Sequence, residues 1–155
     1  MWKRIILWVL TFLWATLIFC FSAQPAMSSR KLSTKISSKV VQTMPKKEDA
    51  VDVNKEMPRK IHQLVRKTAH LVLYIGLGAL LAALCRSYLL TFGSAACISF
   101  FVSALYAATD EWHQSFIPGR SGQVTDVLLD SLGAAVGILL LYVGTVYLKK
   151  IDIKK

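Results

Sequence analysis

Lysine and arginine are missing from the interiors of four long stretches of this chain, residues 5–22, 68–85, 89–109 and 127–148. Each approaches the roughly 20 residues that cross a bilayer as a helix. Acidic residues are scarce as well, nine against nineteen Lys and Arg. Cysteine is present only as Cys20, Cys85 and Cys97. An odd number at no metal-ligand spacing excludes a disulfide framework and a zinc site, and leaves three small buried apolar residues. No internal repeat or low-complexity tract is present, and no nucleophile elbow accompanies Ser22 or Ser121.

What is there is apolar and blocky. Hydrophobic residues make up 54% of the 155, with a mean hydropathy of +0.47. The net charge of +10 sits beside the apolar blocks, at Lys3-Arg4, Arg66-Lys67, Arg86 and Lys149-Lys150. That is how spans meet lipid head groups, anionic ones in particular, and it argues against a nucleic-acid partner. The start, MWKR before IILWVLTFLWATLIFCF and SAQPA, has the layout of a signal peptide. Its apolar run is long for one, and Phe19 stands where a lipoprotein signal needs a small residue before Cys20. An uncleaved first span is expected.

The polar loop 23–67 carries Leu32, Ile36, Val40 and Met44 at four-residue intervals, beside Lys31, Lys35 and Lys39. This periodicity predicts an amphipathic helix over about 29–44, stopped by Pro45 and lying on the membrane surface. Residues 45–58, between two prolines, read as a linker. The expected fold is therefore all-α, an integral membrane four-helix bundle with a surface amphipathic helix in its first loop. It forms a single domain over 1–155.

Four spans bring one set of helix ends to a common face. Ser22 and Gln24 end the first span, and Arg66, Lys67 and His70 begin the second. Asp110, Glu111 and Gln114 end the third, Arg120 follows in the PGR turn, and Asp126 begins the fourth. Arg66, His70 and Tyr74 recur at helical spacing, as do Asp126, Asp130, Gly133 and Gly137. Gly133 and Gly137 form a small-xxx-small pattern that suits close helix packing. With that stripe inward, Asp130 stands one turn inside the membrane, where an ionisable group marks function by default. Each residue also has a plain reading: interfacial anchors for Arg66, Lys67 and Trp112, a helix cap for Asp126, a packing histidine for His70. Those readings leave the convergence of opposite charges from three spans unexplained. Asp110 and Glu111 diverge by about 100° on a helix, which argues against joint metal chelation with His70 and His113. Neither a metal nor a cofactor is expected.

FSAQP after the first span, RKTAHLVLYIGLG opening the second, and ATDEWHQSFIPGRSGQVTDVLLDSLGAAVG across the last two resemble the VanZ-like family. The family's signature elements fall on Ser22, Gln24, Arg66, Lys67, His70 and Tyr74. They continue on Asp110, Glu111, Gln114, Pro118, Gly119, Arg120 and Asp126. Asp130 departs from the Asn common in the family. The resemblance implies a multi-pass protein of the bacterial cell membrane, in a family named for a member associated with resistance to the lipoglycopeptide teicoplanin.

Three functions fit these residues. In the first, which is not enzymatic, the charged rim binds a polar or lipid-linked envelope component, such as a cell-wall precursor, or a glycopeptide. Arg66, Lys67 and Arg120 would meet its anionic groups, balanced by Asp110, Glu111 and Asp126. In the second, a membrane-embedded hydrolase or transferase uses Glu111 or His70 as base and Arg120 as oxyanion stabiliser on a phosphate-containing lipid-linked substrate. In the third, the Gly133/Gly137 stripe docks another membrane protein. The oligomeric state is left open. The resemblance places the rim outside the cell and both termini inside. The loop charges run the other way, with twelve Lys and Arg on the rim side against seven.

Overall fold

The computed structural model describes residues 1–23, 53–117, 120 and 122–152, with side chains of the second helix described from Leu64 onward. Gln24, Pro118, Gly119, Ser121 and the expected surface helix at 29–44 lie outside the described residues. Among the described residues four helices follow one another: α1 (Trp2–Ser22), α2 (Val53–Ser87), α3 (Phe92–Gln114) and α4 (Val124–Asp152). No strand occurs among the described residues. Trp2–Ser22, Leu64–Ser87, Phe92–Gln114 and Val124–Ile151 are each long and apolar enough to cross a membrane.

The helices overrun the apolar blocks because polar residues prolong them. α3 continues through Thr109 to Gln114, so Asp110 and Glu111 are helical, and Thr91 caps its start by accepting from the Ser94 amide at 3.2 Å. α2 begins at Val53, inside the stretch 45–58 that reads as a linker, and runs through Pro58. Proline's fixed φ suits a helix, and its missing N–H forfeits one bond near the N-terminal end. Leu89, with φ of 63°, turns the chain between α2 and α3.

Large apolar side chains point outward, as lipid as solvent requires. Leu128, Leu132, Val136 and Leu139 form the outer stripe of α4, and Trp8, Phe12 and Leu13 are exposed on α1. The interior combines a few large side chains, Ile18, Tyr74 and Leu77, with many small and polar groups, among them Ala82, Ala95, Ser99, Ser103, Ala107 and Ala134, all fully buried. Cys20 and Cys97 are exposed and Cys85 half-buried, so the three cysteines are not the buried residues that their apolar surroundings suggest. An apolar neighbourhood does not mean an interior position when the solvent is itself apolar.

Without a hydrophobic force between helices, close packing must hold the bundle. α2 and α4 share the most extensive contact, with α3 against both and α1 lying mainly on α2. A Cβ on Gly133 would stand 2.8 Å from the Leu71 carbonyl oxygen, and one on Gly137 would overlap that of Ile75. Gly78 answers from α2, pressed against the Ala134 backbone. The Gly133/Gly137 stripe is therefore filled within the chain and is not free to dock another protein. α1 is pinned by Trp14, whose indole lies over Gly76 and donates to the Leu73 carbonyl at 2.8 Å, and by the Tyr106 hydroxyl, which donates to the Ala15 carbonyl at 2.7 Å.

Gly137→Leu forces α2 and α4 apart and lowers the melting temperature in detergent, by the equivalent of about 1–3 kcal/mol or more. Leu140, 58% exposed on the outer face, is the control. Leu140→Ala leaves melting nearly unchanged, and equal losses in the two variants contradict the packing.

Candidate functional site

The α2–α4 contact carries charge at its end. Above Gly133, α4 turns Asp130 and then Asp126 toward α2, where His70 stands one turn from the adjacent Lys67 and Arg66. Asp126 is 6% exposed and is engaged by Lys67, with Arg66 at 3.9 Å. It is the third residue of α4 and not its cap, so its carboxylate serves the neighbouring helix.

Capping falls to Glu111. This side chain, 5% exposed, reaches from α3 to accept the Gln123 backbone N–H at 2.9 Å, immediately before α4 begins. Gly122 permits the approach, because a Cβ there would stand 2.8 Å from the Glu111 carbonyl oxygen. A carboxylate at a helix N-terminus also meets the positive end of the dipole.

Asp110 lies deeper, 3% exposed. Its Oδ2 accepts from the Ser22 hydroxyl at 2.7 Å and from the Gln114 amide at 3.0 Å, which ties the end of α1 to α3. His70 stands between two acids, its Nδ1 3.7 Å from Asp130 and 3.9 Å from Asp110. Tyr74, one turn below His70, is fully buried.

Arg120 does not close an ion pair within 4 Å of Glu111 or Asp110 among the described residues. Its Nη2 instead points to the Phe21 carbonyl at 3.4 Å, while Nε and Nη1 are buried without a hydrogen-bond partner. Burial, and then the neighbouring charge of Arg66, pull the guanidinium below its ordinary pKa, and Asp110 and Glu111 oppose that.

A cleft of about 220 Å³, counted out to open solvent, lies between Arg66, Lys67, His70, Glu111, Gln114, Asp126, Leu129 and Asp130. Among the described residues no three His, Cys, Asp or Glu side chains are arranged to hold a metal. Of the residues singled out in the sequence, Ser22, Arg66, Lys67, His70, Tyr74, Asp110, Glu111, Gln114, Asp126 and Asp130 gather at this end, with Arg120 at its edge. The Gln123 amide, the cleft residue Leu129 and the stack of Phe19 on His113, at 4.8 Å between rings, had no signal in the residue pattern.

The VanZ/LLP1 family model matches residues 7–146, nearly the whole chain and every helix that builds this site. The chain belongs to the VanZ/LLP1 family. Comparison with curated proteins gave no match, nor did comparison with solved structures. As a VanZ/LLP1 protein with four membrane-span-length helices, it is a multi-pass membrane protein.

Within this VanZ/LLP1 chain, Glu111→Ala removes the cap of α4 and destabilises by about 1 kcal/mol. Glu111→Gln keeps an acceptor oxygen for Gln123 and loses less. Chemical unfolding in detergent checks the order, and an equal loss in both variants contradicts capping.

Proposed function

We infer that this VanZ/LLP1 protein works at the bacterial cell envelope by binding the anionic group of a lipid-linked envelope component at its charged rim. The reading extends to lowered sensitivity to lipoglycopeptides such as teicoplanin. The observation that carries it is Arg120, whose Nε and Nη1 are buried and find no acceptor among the described residues. Guanidinium N–H groups taken out of water without acceptors are unfavourable, and a phosphate or carboxylate relieves them. Lys67 adds a cation that is 35% exposed at the side chain and shared with Asp126.

The ligand arrives from the membrane in this account. Trp112 on α3 and Phe116 just beyond its end, both 69% exposed and packed edge to face at 5.5 Å, flank the rim where aromatic side chains meet head groups. The rim faces outward and both termini face the cytoplasm. Cysteine labelling at Ser38 and Lys154 in intact cells tests that orientation. Labelling of the first position alone is expected, and labelling of the second alone removes the outward-facing rim.

In the alternative of hydrolysis or transfer, the engagement of Glu111 Oε2 by the Gln123 amide favours His70 over Glu111 as the base. Binding is measured with the purified protein in nanodiscs, using a polyprenyl phosphate and the uncharged polyprenol as probes. The phosphate binds more tightly. Arg120→Ala weakens it by roughly ten- to a hundredfold, the loss of one charge-assisted contact. Arg120→Lys, which lacks the planar fork, also weakens it, and Lys149→Ala does not. Equal affinity for the two probes overturns the reading.

A further inference from the structure

The rim is electrically layered. Its outer part holds Arg66, Lys67 and Arg120 against Asp126 and Glu111, whereas its inner part holds two acids, Asp110 and Asp130, around one imidazole. Asp110 is 3% and Asp130 2% exposed, and no Lys or Arg comes within 4 Å of either among the described residues. His70, even when protonated, offsets only one of them. A buried carboxylate without a compensating charge is among the least favourable arrangements in a membrane bundle.

A second observation points the same way. Asp110 Oδ1, Gln114 Oε1 and the Tyr74 hydroxyl are all buried and have no hydrogen-bond partner among the described residues. Tyr74 is 0% and Gln114 1% exposed, and Tyr74 lies one turn from His70 on the same helix. All three bear oxygen lone pairs. A proton added to one carboxyl would answer one acceptor, whereas a hard cation draws on several oxygens together. Among the described residues no three His, Cys, Asp or Glu side chains are arranged to hold a metal ion, so the donor set suits neither a transition metal nor the oxygen-rich shell of calcium.

We propose that Asp110, with Gln114, Tyr74 and the facing Asp130, forms a binding site for a monovalent inorganic cation of the sodium class, adjoining the anion-facing rim on its inner side. The ion supplies the positive charge that the inner layer lacks, and it links the ends of α1, α2, α3 and α4 through residues already joined to Ser22 and His70. The proposal stands on the acids and their oxygens and does not depend on the identity of the anionic ligand.

The test is thermal unfolding of the full-length protein in uncharged detergent, with NaCl replaced stepwise by choline chloride at constant ionic strength. Chloride is constant, so any anion effect cancels. Sodium raises Tm in a saturable manner that choline does not reproduce. The sodium-specific shift is lost in Asp110→Asn and reduced in Tyr74→Phe, which keeps the ring and removes only the hydroxyl. It persists in Lys154→Ala. Because the ion comparison is made on the unmodified protein, it holds even if a variant fails to fold. Repeating it between pH 5.5 and 8 separates a proton from a metal ion. The groups facing the site that titrate or carry charge are His70, Asp110, Asp130, Glu111, Asp126, Tyr74, Tyr106, Arg66, Lys67 and Arg120. Identical curves in sodium and choline overturn the proposal, as does a Tm that follows pH alone.

Discussion

The close approach of α2 and α4 is what the remainder of the molecule depends on. Gly133 and Gly137 press against the carbonyls of Leu71 and Ile75, and Gly78 presses back on Ala134. Lipid tails are as apolar as leucine, so nothing squeezes two such helices together except the fit itself and the polar contacts it enables. Once the backbones touch, Asp130 and Asp126 have no direction to face except toward His70, Lys67 and Arg66. Packing and chemistry are one constraint.

The other helices complete the rim from its sides. α3 contributes Asp110, Glu111 and Gln114 from a single terminal turn, and these residues divide the work. Glu111 holds the start of α4, while Asp110 and Gln114 reach α1 through Ser22. α1 is fastened lower down by Trp14, which donates to the Leu73 carbonyl of α2, and by its own Ala15 carbonyl, which accepts from Tyr106 of α3. Such bonds retain more of their strength away from water, and leaving a buried donor unpaired is costly there. The result is a surplus of cations at the mouth and of carboxylates below it.

Much of this was legible because blockwise hydrophobicity fixes span number and short connections fix which ends meet. Helical spacing then put Asp130 inward together with Gly133 and Gly137, and His70 on the face of Arg66 and Tyr74. What was not legible depends on individual backbone groups. Glu111 rather than Asp126 serves the start of α4, because the Gln123 amide is brought near by a turn whose path no periodicity encodes. Arg120 reaches the end of α1 instead of an acid on α3 for the same reason. Gly76 and Gly78 lie in an ordinary apolar run, and only the positions of Trp14 and Ala134 explain them. Cys20 and Cys97 look like core residues in a sequence that does not say which side is lipid.

The central claim is that charges from separate helices form one coupled network and are not independent interfacial anchors. A double-mutant cycle on His70 and Asp130, with unfolding free energy in detergent for His70→Ala, Asp130→Ala and the double variant, tests it most directly. Both side chains are more than nine-tenths buried and face each other at 3.7 Å. The account predicts a coupling of about 0.5–3 kcal/mol, the double variant losing less than the two single losses together. Single effects that add, within about 0.3–0.5 kcal/mol, would mean that the two groups do not interact, and the network would be contradicted.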